Sequence, residues 1–165
     1  MNGEPASPVC YADQAGDIYM GFAGRDALVE ALNALIEAER AGARVIKAWG
    51  EAATGPARAV LATLQAEEAR WCAMLAAHVR GLGGTPSRKT GGFPARARAI
   101  AGDGPRLAFL NAGQGRVVRA LDALTPRVRD ERLHADLKRM RDAHLARIAT
   151  MAALIAAQDQ PPPNA

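Results

Sequence analysis

The stretch RDALVEALNALIEAERAGARVIKAW, residues 25–49, decides the fold. Its residues Leu28, Leu32, Leu35, Glu39, Gly42, Ile46 and Trp49 recur at alternating steps of four and three. That spacing lines one face of an α-helix with a continuous stripe, the geometry of a bundle seam. Glu30, Asn33, Glu37, Arg40, Arg44 and Lys47 fall on the opposite side, so Glu37 is expected to be solvated. Glu39 alone interrupts the apolar stripe, and a carboxylate in the middle of a seam needs a reason.

Working outward, the same period returns three times. Leu61, Leu64, Glu68, Trp71, Leu75 and Val79 form a second seam. Leu107, Leu110, Gln114, Val117, Leu121 and Leu124 form a third, and Leu133, Leu137, Met140, His144, Ile148 and Met151 a fourth. Each carries one hydrophilic interruption near its middle: Glu39, Glu68, Gln114 and His144.

Glycine and proline divide these segments. Thr54-Gly55-Pro56 ends a helix over 25–51 and precedes one over 57–81. The run Gly83 to Gly92 is a long connection, followed by a possible short helix over Pro94–Ile100. Asp103 as N-cap, with Pro105 in the first turn, opens a third long helix to about Leu124. Thr125-Pro126 opens the fourth, which ends before Pro161. The expected architecture is all-α, an antiparallel four-helix bundle of two hairpins joined by a long crossover. Residues 1–24 are expected to be an extended arm pinned by Tyr11, Tyr19, Met20 and Phe22; 25–158 the bundle; and 159–165 a disordered tail.

Folding the first hairpin about residues 53–54 sets Glu39 level with Glu68. Folding the second near 127 sets Gln114 level with about Arg141 and leaves His144 one turn further along. Two carboxylates facing each other inside a bundle cannot stay bare, because desolvation and like-charge repulsion both oppose ionisation. Three neutralisers are open. One is a cation, and carboxylate, imidazole and amide oxygen suit iron or manganese. The second is Arg141, one turn before His144, and the third is protonation of one acid. The metal reading names Glu39, Glu68, Gln114 and His144 as ligands; the metal-free reading makes the same four a polar network.

Composition narrows the classes. A chain of 165 residues is the size of one domain, rich in Ala, Leu and Arg and poor in aromatics, which favours helices. The net charge of +4 comes from basic residues scattered among acids rather than gathered in a block, so no nucleic-acid partner is expected. No apolar run spans a bilayer and the start lacks a leader pattern, so no membrane partner and a cytoplasmic location are expected. Cys10 and Cys72 have neither disulfide-scaffold nor zinc spacing.

Lesser signals have plain readings. Cys72 reads as a small buried hydrophobe or a reactive thiol, and Trp49 and Trp71 as core anchors. His78 and His134 read as surface or capping residues. Gly113 and Gly115 each cost about 1 kcal/mol against Ala inside a helix, so close helix approach or space for a small ligand beside Gln114 should require them. Ser87 to Thr90 reads as structural crossover rather than an anion loop.

The phrases NALIEAERAGARV (33–45), EEARWCAML (67–75), GGTPSRKTGGF (83–93) and FLNAGQGRVV (109–118) resemble a small uncharacterised family of bacterial ferritin-like proteins, a domain of unknown function. The wider ferritin-like superfamily implies a di-iron or di-manganese site, with one Glu from each of two helices and a Glu-x-x-His pair from each of the others. Glu39 matches the first ligand. Glu68 is followed by Trp71 where His would stand, Gln114 replaces a Glu, and His144 is preceded by Arg141 where Glu would stand. The resemblance therefore implies a degenerate centre, at most mononuclear, with oxygen or peroxide chemistry if metal binds. The rival expectation is a non-catalytic module that forms a homodimer, or holds a protein partner, through its helical faces and arm.

Overall fold

The computed structural model describes residues 21–158. The arm expected before residue 21, with the pinning roles of Tyr11, Tyr19 and Met20, and the tail at 159–165 lie outside the described residues. Among the described residues the chain is all-α and has no strand: α1 (Arg25–Gly50), α2 (Gly55–Gly81), α3 (Phe93–Ala97), α4 (Asp103–Leu124), a 3-10 turn at Thr125–Arg127, and α5 (Glu131–Gln158). None of these helices is long and apolar enough to cross a membrane.

The ends of the helices follow from local chemistry. Pro56 sits in the first turn of α2, where its missing N–H leaves no intrahelical bond unmade. At the other end Gly83 takes φ +72°. Its N–H donates to Arg80 O at 2.8 Å while that of Gly84 donates to Val79 O at 2.8 Å, the paired bonds of a Schellman cap. A side chain at Gly83 would be strained in that conformation.

Two expected helix starts are corrected. Asp103 is not the cap of α4; Gly102 is, at φ +85°, and Asp103 is already the first helical residue. The last helix does not open at Thr125-Pro126. After the 3-10 turn the chain becomes extended at buried Val128, and α5 begins at Glu131. Asp130 caps it, its Oδ1 accepting from Leu133 N–H at 2.6 Å.

α1 packs along α2 and α4 along α5, with further contacts of α1 on α4 and of α2 on α5. The core consists of two apolar clusters. One joins Leu32 and Ile36 of α1 to Leu75 and Val79 of α2, Leu121 of α4 and Leu137 of α5. The other joins Ile46 and Trp49 to Leu61 and Leu64, Leu110 and Met151. The early part of α1 therefore meets the late parts of α2 and α4 and the early part of α5. α1 and α5 run one way, α2 and α4 the other, and the crossover returns the chain so that α4 runs parallel to α2.

That crossover is laced to the polar face of α1. Ser87 N–H donates to Asn33 Oδ1 at 2.8 Å, Asn33 Nδ2 donates to Thr85 O at 3.1 Å, and Ser87 Oγ donates to Glu37 Oε1 at 2.5 Å. Glu37 is thus half-buried rather than solvated, because the returning chain covers it. His78 is also not an ordinary surface residue. Its Nε2 lies 2.7 Å from Oδ2 of buried Asp136, bridging α2 and α5, and Arg139 holds the other oxygen of that carboxylate.

Asp130→Ala removes the cap of α5 and is expected to cost about 1 kcal/mol, whereas Asp103→Ala, which breaks no cap, is expected to cost less than about 0.5 kcal/mol. Urea denaturation of the two variants checks the difference.

Candidate functional site

Glu39, Glu68, Gln114 and His144, the residues that break the four seams, all lie between the two apolar clusters. Their exposures are 1, 3, 6 and 3 %. The second hairpin turns later than a fold at 127 implies, because the 3-10 turn and extended Val128 lengthen the connection to Asp130. That shift brings His144 into the layer instead of one turn beyond it.

A directed set of hydrogen bonds joins the four. Gln114 Nε2 donates to Glu68 Oε1 at 2.8 Å. The Glu68 and Glu39 carboxyls hydrogen-bond to one another. His144 Nε2 lies 3.3 Å from Glu39 Oε1, and its Nδ1 lies 2.9 Å from Met140 O. A carbonyl only accepts, so Nδ1 carries the ring hydrogen and the neutral imidazole turns the Nε2 lone pair toward Glu39. The hydrogen in that contact then belongs to the acid.

The electrostatics agree. Burial, opposed by the hydrogen bond to Glu68, lifts the Glu39 pKa to about 8. Burial, then the charge of Glu39, raises Glu68 well above the usual carboxylate range. Burial likewise lowers His144 and keeps its ring neutral. Oε2 of Glu39 and Oε2 of Glu68 receive no hydrogen bond from any fixed donor around them. With the Glu39 proton turned to His144, the hydrogen in the bond between the two acids is that of Glu68.

Arg141 does not supply the missing charge. It lies at the surface, where Nε bonds Asp122 and NH1 reaches Asp142 Oδ1 at 3.3 Å. One helical turn before a buried residue is not always the same face, and two aspartates at the rim hold this guanidinium outside. Trp71 is buried with its ring centroid 6.5 Å from that of His144, so it packs beside the imidazole. Cys72 has its Sγ 4.0 Å from Ile36 O, and burial, with the charges of Glu39 and Glu68, pushes the thiol up to about 11. It is a protonated packing residue near neutral pH, not a nucleophile.

Two glycines make room for this arrangement. A Cβ on Gly42 would stand 3.0 Å from Glu68 Oε1 and 3.1 Å from its Cδ, so the carboxyl occupies the space a side chain would take. A Cβ on Gly113 would meet the Phe93 ring at 3.2 Å; the small residue there accommodates α3. Gly115 has no comparable neighbour apart from the Arg119 side chain at 3.7 Å, and its place in the helix is unexplained by packing.

The layer is also the floor of a cavity of about 500 Å³ between α1 and α4. Glu39, Glu68 and Gln114 line the floor, while Ala34, Ala38, Gly42 and Ala120 are among the walls. Thr90 to Phe93 and Arg96, from the crossover and α3, close part of one side. Alanines and glycines cannot fill the gap between two helices of ordinary separation, which is why the space exists. The pattern of the seams does not reveal it because its signal is separate: Ala31, Ala34, Ala38 and Ala41 repeat at three-four-three spacing beside the main stripe.

Residues 26–153 match the model of a family described as Domain of unknown function (DUF6306). No curated protein and no solved structure matches the chain.

Two outcomes follow from the layer. Gly42→Ala gains about 1 kcal/mol of helix propensity but crowds a carboxyl held by Gln114, at a cost of about 1–3 kcal/mol, so a net loss on the order of 1 kcal/mol is expected by thermal or urea unfolding. The folded state holds protons on Glu39 and Glu68 that the unfolded chain releases near the ordinary carboxylate value of 4.5. Stability from this pair is therefore present at low pH and falls as pH rises from 4.5 through about 8. His144 acts in the opposite sense, its contribution being lost as pH falls below the ordinary imidazole value of 6.5. Urea midpoints across pH check this, and the double variant Glu39→Gln, Glu68→Gln is expected to flatten the fall on the alkaline side.

Proposed function

We propose that this chain, which belongs to the DUF6306 family of domains of unknown function, is a ferritin-like four-helix bundle whose central layer is a neutral, proton-sharing network forming the floor of a small-molecule cavity. The helix directions support the ferritin-like reading: two antiparallel hairpins joined by one long crossover are the course that such bundles follow. The observation that carries the functional reading is the pair of buried acids on the cavity floor, each with an Oε2 that no fixed donor reaches.

The metal centre that the superfamily implies does not fit these residues. A two-metal site needs ligands where Trp71 and Arg141 stand; an indole packed in the core cannot ligate, and a guanidinium brings charge of the wrong sign. For one metal, Glu39, Glu68 and His144 are donors of the right type. Among the described residues, however, no group of three or more His, Cys, Asp or Glu side chains is gathered as a metal-holding cluster. Gln114 turns its amide N–H, not its oxygen, toward Glu68.

The residues do something simpler. Gln114 orients Glu68 by donating to Oε1, Gly42 leaves space for its carboxyl, and His144, fixed by Met140 O, accepts at Nε2. The acids keep their protons because an apolar interior disfavours the charged forms by several kcal/mol. The resulting floor is polar but neutral, suited to binding by hydrogen bonds rather than to Lewis-acid chemistry.

Infrared difference spectra combined with metal analysis test this reading. Protein purified without chelator after growth in iron and manganese is expected to carry substoichiometric metal. It is also expected to show the carbonyl band of a protonated carboxyl at neutral pH, diminished in Glu39→Gln and in Glu68→Gln. Stoichiometric iron or manganese that disappears in Glu39→Ala would overturn it, as would the absence of the band.

A further inference from the structure

The cavity opens to solvent as a groove: Ala34 and Ala38 of α1 and Ala120 of α4 line it and are exposed. Helix pairs pack closely as a rule, so about 500 Å³ between these two is space for side chains that they do not themselves supply. Arg96 and Arg116 also line the groove and are exposed, and among the described residues neither makes an ion pair. Glu37 lines it too, but Ser87 Oγ engages its Oε1.

The chain enters the bundle at one end of this groove. Ala23 N–H donates to Arg127 O at 2.8 Å, which fixes the start of α1 against the end of α4. Leu124, just before Arg127, and Ala31, in the second turn of α1, line the cavity at that end. Gly21 stands in a turn at φ +83°, so the residues before it need not continue the line of α1. From Ala31 to Gly42 the groove runs about 16 Å at the helical rise, a length that about five extended residues cover.

The 20 residues before Gly21 differ in charge from the bundle. They hold Glu4, Asp13 and Asp17 and no Lys or Arg, whereas all 21 basic residues lie between Arg25 and Arg147. They also hold both tyrosines of the chain, Tyr11 and Tyr19, together with Val9, Ile18 and Met20. The other end of the chain is no rival for the groove. Asp159 to Ala165 has no aromatic or branched aliphatic side chain, and it follows α5, whose end lies away from Ala23 because α5 runs parallel to α1.

We propose that segment 1–20 of the same chain occupies the groove, with Ile18, Tyr19 and Met20 between the alanines and Asp13 and Asp17 on Arg96 and Arg116. An alanine wall receives large apolar side chains where a leucine wall would exclude them, and a tyrosine ring can lie on it with its hydroxyl toward water. Guanidiniums without an ion pair accept carboxylates through charge-assisted hydrogen bonds. Because the segment is tethered beside the groove, docking is intramolecular and contacts of modest strength suffice. This goes beyond the reading of the floor and does not depend on it; a small molecule enters by displacing the segment.

The test is thiol labelling of the full chain carrying Cys10→Ser and Cys72→Ser. Ala38→Cys reports on the groove, and Ala112→Cys, exposed on α4 outside the cavity, is the reference. With the neutral reagent N-ethylmaleimide, the thiol at position 38 is expected to react at least about tenfold more slowly than the reference, because it reacts only while the segment is away. Ile18→Ser combined with Tyr19→Ser is expected to raise it to the reference rate. Asp13→Lys combined with Asp17→Lys is expected to raise it in part, and adding Arg96→Glu and Arg116→Glu to restore the protection. Circular dichroism confirms that each variant is helical. Equal rates at the two thiols in the parent chain, or a slow thiol that no substitution in the segment releases, overturns the proposal. Protection that disappears on dilution gives the groove to the same segment of a second copy and overturns the intramolecular assignment.

Discussion

Two carboxyl groups meet at the centre of an apolar interior, where the basic group beside them is the neutral imidazole of His144, while Arg141 is held outside. Most of the unusual features of the chain are answers to that constraint. Gly42 gives Glu68 the volume that a Cβ would occupy. Gln114 directs an N–H at one oxygen, and His144 is held by Met140 O so that its free lone pair faces the other acid. The apolar core is interrupted there and continues on either side as two separate clusters. Buried acids without counter-charge destabilise a fold unless they stay neutral and hydrogen-bonded, and this layer meets both conditions.

The cavity arises from a second choice of residues, independent of the first. α1 and α4 face one another with alanines and glycines, so their backbones are separated by more space than their side chains fill. Phe93 and Arg96 come across from the crossover, which Asn33 and Glu37 anchor to the outer face of α1. The long connection is thus both a return path for the chain and part of the cavity's wall. Its serine and threonine serve this lacing, which explains their presence without an anion.

The helices and the polar layer were legible in the sequence because both are properties of one period. Apolar residues at steps of three and four define the seams, and a hydrophilic residue in a seam stands out against them. Glu39, Glu68, Gln114 and His144 were found in this way. What lay beyond reach depended on distances between helices. Arg141 has the right spacing to meet the acids, and only Asp122, from another helix, shows why it points outward. His78 and Asp136 are 58 residues apart and nothing local pairs them. The start of α5 was legible in principle, since Asp130 is a good cap three residues before Leu133, but Thr125-Pro126 was the stronger local signal and the chain uses it for a 3-10 turn. The cavity is a deficit of volume, and a pattern of apolar letters does not distinguish alanine that packs from alanine that leaves a gap.

The split core has a consequence for how the helices can slide. Uniform leucine seams tolerate a stagger of one turn, about 5.4 Å, because one leucine replaces another. Here such a slip of α5 would carry His144 away from Glu39 and set Met140 or Ile148 against the acids, leaving a carboxyl without its acceptor. A slip of α4 would do the same to Glu68 by withdrawing Gln114. The polar layer acts as a key cut at one height in all four rods, and it admits a single register.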